Sequence, residues 1–269
     1  MTRMSDTEPV LDDRPVLYAK SGHVVTITYN RPERLNALNG AMREGLNEAW
    51  LRFRDDEDAW VAIMTGAGRA FCAGADLKDA GGAAGTFAGT FWEKPTINSF
   101  ESGLELFKPV IAAVNGACIG YGLTGVSFAD FVIASDRASF SFPEVRIGVP
   151  TIVGSIRLPR RLNWADAMEL LIIGEPIDAF RAKEMGLVWK VVEHASLMNE
   201  AIALAERLCK SAPLATRVVK EVATRTADMG WIESVRFGET MRLVAGQTAD
   251  ATEGRKSFVE KRPPTWTAT

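Results

Sequence analysis

Apolar positions cluster in short runs through the first two thirds of the chain. Val24-Val25-Thr26-Ile27-Thr28-Tyr29 is rich in β-branched residues and closed by Asn30-Arg31-Pro32, a pattern that predicts a strand ending in a turn. The period then changes: Met42, Leu46, Ala49, Trp50 and Phe53 fall on one face of a helix. Trp60-Val61-Ala62-Ile63-Met64-Thr65 predicts a second strand, ended by Gly66-Ala67-Gly68. Val110-Ile111-Ala112-Ala113-Val114 predicts a third and Phe131-Val132-Ile133-Ala134 a fourth. Strands alternating with helices imply an α/β architecture with βα crossovers. After about Ser196 strand signals stop, and Leu197–Cys209, Leu214–Arg225, Ile232–Ala245 and Ala249–Lys261 carry helical spacing. The expected division is therefore a core over residues 16–195 and a helical C-terminal region over 196–269, built for assembly as well as packing. No internal repeat or low-complexity tract occurs.

A chain of 269 residues fits one large domain or two smaller ones and buries a core without disulfides or metals. Hydrophobic residues make up 47% and charged residues 24%, a globular balance. The net charge of -3 gives no reason to expect a nucleic-acid partner. Cys72, Cys118 and Cys209 form no CxxC pair and suit reduced thiols in a cytoplasmic protein. With His23 and His194 as the two histidines, a histidine-rich metal site is not expected. The polar, acidic N-terminal segment does not read as a signal peptide. Pro109 to Ala129 carries no charge, but Asn115 and four glycines mark it as a strand, a turn and a helix rather than a membrane span. The glycine-rich run from Ala80 to Gly89 reads as a connector, with a substrate lid as the alternative.

Two segments carry candidate chemistry. Gly66 to Leu77 follows a strand and opens toward a short helix, which Asp76 could cap. Val114-Asn115-Gly116-Ala117-Cys118-Ile119-Gly120-Tyr121-Gly122 has the same order of strand, glycine turn and helix start. Taken alone, each is simply a tight turn. Taken together, they could aim two backbone N–H groups at one point and form an oxyanion hole. Gly120 to Gly125 also spells GxGxxG, but its mid-chain position makes a weak dinucleotide signal. Asp130 and Asp136 read as structural acids, and His23 and His194 as surface or packing residues. Lys183, Lys190 and Lys210 read as solvated charges.

A resemblance adds to this. Asn30-Arg31-Pro32 with Asn36-Ala37-Leu38, Ala70-Phe71-Cys72-Ala73-Gly74-Ala75-Asp76-Leu77, Ala113-Val114-Asn115-Gly116, Phe142-Pro143-Glu144, Gly186-Leu187-Val188 and Phe258-Val259-Glu260-Lys261-Arg262 occur in one order. Together, over about residues 16 to 263, they resemble the enoyl-CoA hydratase/isomerase (crotonase) superfamily. The resemblance implies a crotonase-like spiral of repeated ββα units with a C-terminal helical trimerisation region, assembled as a homotrimer or a dimer of trimers. It implies an acyl-CoA substrate, with coenzyme A entering as part of the thioester and no separate cofactor, metal or membrane. The backbone N–H groups of Ala75 and Tyr121 match the two oxyanion donors, although the family's usual residue at the second is glycine. Ala37, Ala73, Asp76, Leu77 and Lys78 match the stretches lining the thioester and coenzyme A. Arg34, Phe258 and Lys261 resemble positions near the nucleotide and pantetheine.

Hydratases of this family carry two glutamates. Glu144 matches the second, and Thr124 stands where the first belongs; a hydroxyl there cannot act as a base near neutral pH. Hydration or dehydration of an unsaturated acyl-CoA with Glu144 as acid and base is the leading expectation. A lone glutamate also suits double-bond isomerisation or thioester hydrolysis. A serine peptidase and a non-catalytic scaffold are the alternatives from other classes. Trp92, Phe87, Phe91 and Phe100 are candidate acyl-pocket linings, or ordinary packing.

Overall fold

The computed structural model describes residues 13–78, 99–100 and 103–269. Its framework is a six-stranded sheet of β1 (Val16–Ser21), β2 (Val24–Tyr29), β3 (Val61–Gly66), β5 (Val110–Val114), β7 (Phe131–Ser135) and β10 (Lys190–Val192), in that spatial order. The β1–β2 pair is antiparallel and every later pairing is parallel. A second sheet orders β4 (Ala70–Cys72), β6 (Ala117–Ile119), β8 (Ser139–Ser141) and β9 (Ile177–Asp178). Three times a long strand of the first sheet passes through a tight corner into a three-residue strand of the second: β3 into β4, β5 into β6, β7 into β8. This repeat is the ββα spiral that the resemblance implied.

Both faces of the first sheet are covered, so its central strands are apolar throughout rather than alternating with polar residues. Side chains of successive residues point to opposite faces, and the two faces form separate cores. Met64, Val110, Ala112, Val114, Val132 and Ala134 join one cluster with Met42, Leu46, Trp50 and Phe53 of α1 (Gly40–Asp55). Ile63, Ile111, Ala113 and Ile133 join the other with Leu197, Ala201, Leu204 and Ala205 of α6 (Leu197–Leu208). Leucines buried to the extent of Leu197 and Leu204 each contribute roughly 1.5–3 kcal/mol. The five apolar positions read as one helix face are the five buried residues of α1, whose N-terminus is capped by the Asn39 side chain accepting from the Met42 N–H.

The helical texture after Ser196 corresponds to α6, α7 (Pro213–Arg225), α8 (Trp231–Ala245) and α9 (Ala249–Glu260). These last helices leave large apolar side chains in solvent, among them Trp231 at 82% and Phe258 at 85% exposure. Among the described residues, no helix is long and apolar enough to cross a membrane.

Several expectations are corrected. The segment after Gly66 first forms β4, and the helix that Asp76 was expected to cap would lie outside the described residues, although the Asp76 carboxylate accepts from the Lys78 N–H at 3.3 Å. β1, the three-residue strands, β9 and β10 were not anticipated, nor were the short helices α3 (Ile152–Arg157), α4 (Trp164–Met168) and α5 (Ala179–Glu184) that follow α2 (Tyr121–Val126). A strand of two or three residues is too short to show a period. Phe100 is buried and stacks on Trp50 with ring centroids 4.4 Å apart, which makes it packing. Phe87, Phe91, Trp92 and the run from Ala80 to Gly89 lie outside the described residues. Asp130 accepts from the Val110 N–H at 2.8 Å and pairs with Lys220 at 2.7 Å, and Asp136 accepts from the His194 N–H, so both acids are structural. Lys190, read as solvated, pairs with Glu200 at 2.7 Å on the surface.

Candidate functional site

β4, β6 and β8 run parallel, so their carboxyl ends lie on one side of the second sheet. Each end feeds a segment into a cavity of about 330 Å³: Ala73 to Leu77 after β4, Gly120 to Thr124 after β6, and Pro143 to Val153 after β8. A hollow of about 360 Å³ between β1 and α1 is slightly larger, but its wall has no backbone donors and carboxyl converging in this way.

Leu38 forms a parallel bridge with Ala75: the Leu38 N–H donates to Gly74 O and the Asp76 N–H donates to Leu38 O. The flanking residues supply both bonds, so the N–H of Ala75 itself points away from Leu38, toward the cavity that Ala75 lines. Tyr121 is the first residue of α2 (Tyr121–Val126), where helix geometry leaves N–H groups without an intrahelical acceptor. Gly122 brings this helix start against β4, because a Cβ there would stand 2.7 Å from Cys72 Cβ. Two backbone N–H groups with no acceptor among the described residues thus lie at one cavity, after neighbouring strand ends.

Glu144 follows β8 in a short 3-10 segment, Pro143–Ile147. The β6–β8 ladder continues one residue past Ile119, with the Gly120 N–H donating to Ser141 O at 2.9 Å. That bond sets Glu144 against Gly120. A Cβ on Gly120 would lie 2.6 Å from Glu144 Oε1, and the backbone there has φ +52. Glu144 Oε2 is buried with no hydrogen-bond partner among the described residues, and burial pushes the carboxyl pKa above its ordinary value. A half-buried carboxyl with a raised pKa, lining the same cavity as those two backbone donors, can take and return a proton at a carbon next to a thioester.

Of the residues expected in the site, Ala73, Ala75, Leu77, Tyr121, Thr124 and Glu144 line this cavity. Thr124 is 6% exposed, and its hydroxyl makes no hydrogen bond among the described residues. The Tyr121 ring lies under Arg43 of α1, with Cζ 4.9 Å from the centroid. Asp76 is ion-paired with Arg31 at 3.2 Å, and Arg31 also donates to Ala37 O. Ala37 and Asp76 therefore brace the loop that presents Ala75. Arg34 and Lys78 are exposed, and Phe258 and Lys261 stand exposed at the end of α9, outside the cavity wall.

Two asparagines inside the quoted motifs had no assigned role. Asn36, fully buried, donates to Ala67 O and Ala70 O and accepts from the Arg31 N–H. Asn115 donates to Gly68 O and accepts from the Gly66 N–H. Both tie down the β3–β4 corner, whose backbone groups would otherwise be buried unpaired at about 1–3 kcal/mol each. The far wall of Ile147, Pro150, Thr151, Ile152 and Val153 was also missed. The apolar run directly after Pro143-Glu144 was the available signal.

The histidines do not form a nucleophilic site. His23 stacks on Trp60 at 3.5 Å. His194 Nδ1 lies 3.1 Å from Ser135 Oγ, but Ser135 is fully buried and Asp136 receives the Ser135 hydroxyl rather than the imidazole. Cys72 and Cys118 are buried, which raises the Cys72 thiol to about 11 and the Cys118 thiol further from its ordinary range. Among the described residues no cluster of three His, Cys, Asp or Glu could hold a metal ion.

Comparison with known proteins supports the fold described above. The family model described as enoyl-CoA hydratase/isomerase matches residues 19–269. The (E)-benzylidenesuccinyl-CoA hydratase of Thauera aromatica is 36% identical over 254 residues, 93% of this chain and 98% of that protein. The carnitinyl-CoA dehydratase of Citrobacter koseri is 38% identical over 263 residues, 93% of this chain and 97% of that protein. The crystal structure of an enoyl-CoA hydratase from Mycobacterium tuberculosis superposes with a TM-score of 0.85 at 34% identity, covering 95% of this chain and 100% of that one.

Proposed function

The chain belongs to the enoyl-CoA hydratase/isomerase family, and we propose on that premise that it adds water to an unsaturated acyl-CoA or removes it from the hydroxyacyl-CoA. The observation that carries this is the Glu144 carboxyl facing the cavity that the N–H groups of Ala75 and Tyr121 enter. A thioester oxygen between those donors gathers negative charge as the α-carbon gains or loses a proton. Preorganised dipoles stabilise that charge without reorganising. In hydration, Glu144 takes a proton from water as the hydroxyl adds to the β-carbon, and the α-carbon then receives a proton, so no net charge is left behind. The exposed cations Arg34, Lys78 and Lys261 suit the phosphates of coenzyme A, and Phe258 its nucleotide or pantetheine portion. The substrate's own coenzyme A is the only cofactor this scheme requires.

Isomerisation of the double bond is the second reading, favoured by Thr124 in place of a second carboxylate. Purified protein tested against a panel of acyl-CoA thioesters separates the readings by product mass. Gain or loss of water supports hydratase chemistry, unchanged mass supports isomerisation, and loss of the thiol supports hydrolysis. With Glu144 the one carboxylate lining the cavity among the described residues, the acidic limb of the pH–rate profile should show one ionisation. Thr124→Glu should add a second, coupled one, since two nearby carboxylates repel and raise at least one pKa. It should also speed water addition to a simple unsaturated acyl-CoA. A variant no faster than wild type on a substrate both bind removes Thr124 as the limiting feature.

The apolar side chains that α7 to α9 leave in solvent support assembly through residues 196–269, as a trimer or a pair of trimers. Light scattering at micromolar concentration should give three or six chains; a monomer rejects this. The free thiols of Cys72, Cys118 and Cys209 support a reducing compartment, the cytoplasm.

A further inference from the structure

Water chemistry at the β-carbon needs a polar group besides Glu144, one that can hold the departing or arriving oxygen. Among the described residues lining the cavity, Tyr121, Thr124, Glu144 and Thr151 carry polar side chains, and of these Tyr121 and Glu144 can ionise. Tyr121 takes part twice, with its N–H as oxyanion donor and its ring as cavity wall. Its hydroxyl lies 3.5 Å from Arg43 Nη1, the longest separation a hydrogen bond allows, with the guanidinium over the ring. A guanidinium offers donors and no acceptor, so in this contact the phenolic oxygen accepts. Its own O–H is left to donate elsewhere, and no acceptor for it occurs among the described residues.

We propose that the Tyr121 O–H is the acid partner of Glu144, donating to the oxygen on the β-carbon of the acyl group. This rests on the hydratase reading above and deepens it: the substrate class is a 3-hydroxyacyl-CoA, or the 2-enoyl-CoA that takes up water. In dehydration, the Glu144 carboxylate removes the α-proton, leaving an enolate whose oxygen is held by the Ala75 and Tyr121 N–H groups. The enolate electrons then form the double bond as the β-carbon–oxygen bond breaks. The leaving hydroxide takes the Tyr121 proton and departs as water. The phenolate, beside Arg43, regains a proton from the Glu144 carboxylic acid through solvent, and both groups return to their starting states. Hydration is the reverse. Arg43 from α1 lies over the phenol ring, and Glu144, from the segment after β8, lines the same cavity as Tyr121.

Tyr121→Phe keeps the backbone donor and the ring and removes only the hydroxyl, so it separates chemistry from packing. Two rates are measured on 3-hydroxybutyryl-CoA: dehydration, and exchange of the α-proton with deuterated solvent. The variant is expected to lose about 10²-fold in dehydration, keep its KM, and exchange the α-proton at the wild-type rate. Equal loss of both rates in Tyr121→Phe, or loss of neither, overturns the proposal and leaves the hydratase reading standing. So does a Thr124→Val variant that loses dehydration while Tyr121→Phe does not. A wild-type protein that exchanges α-protons but neither adds nor removes water on any thioester in the panel overturns both.

Discussion

Glu144→Gln is expected to lower turnover by about 10²-fold or more while thioester binding persists, the scale of a positioned acid–base group. The amide keeps the shape of the side chain against Gly120 but cannot carry a proton between water and the α-carbon. Burial raises the Glu144 carboxyl, so the wild-type rate should fall as pH drops through that raised value and the base becomes protonated. The same shift has a consequence for stability. A carboxyl whose folded-state pKa lies above its unfolded value binds more protons when folded, so the native state loses stability as pH rises through that window. At neutral pH the ionised carboxylate is the destabilising form, and Glu144→Gln should melt no lower than wild type. As pH falls below the ordinary carboxylate range, the two proteins should converge. Calorimetry at several pH values, alongside steady-state kinetics, checks both halves. A variant with unchanged turnover removes Glu144 from the chemistry, and one that melts lower at neutral pH contradicts the burial account.

Gly120→Ala should damage stability and turnover together. Its φ of +52 is strained for any residue with a Cβ, at a cost of about 1–3 kcal/mol. The added methyl would also stand 2.6 Å from Glu144 Oε1, so either the carboxyl or the start of α2 must move. Moving the carboxyl misplaces the base, and moving α2 misplaces the Tyr121 donor. Loss of one such donor alone costs about 10²–10³-fold in turnover. The expected outcome is a lower melting temperature together with a drop in turnover of that order. A double variant, Gly120→Ala with Glu144→Ala, divides the effect. Trimming the carboxyl should restore the stability lost to the clash but not the part lost to backbone strain. If the double variant is no more stable than Gly120→Ala alone, the contact with Glu144 contributes nothing and strain accounts for the whole effect.

The sequence by itself determined those parts of the molecule whose signal is local and repeated. Strands β2, β3, β5 and β7 and the buried face of α1 were legible because five or six apolar residues in one period leave little choice of partner face. The ordered motifs marked Ala75, Tyr121, Thr124 and Glu144, and the structure brings all four to one cavity. What tertiary structure alone decided is the work of residues whose partners are far away in the chain. Asn36 and Asn115 acquire their role from a corner some 30 to 50 residues distant, through hydrogen bonds that leave no pattern in either segment. Asp76 braces a loop through Arg31, 45 positions earlier, where the local sequence suggested a helix cap. The three-residue strands that carry the site are too short for periodicity and exist because the preceding ones offer a parallel edge. The contact between Gly120 and Glu144 belongs to this second kind, since it arises from the register of β6 on β8 and from no feature of either residue alone.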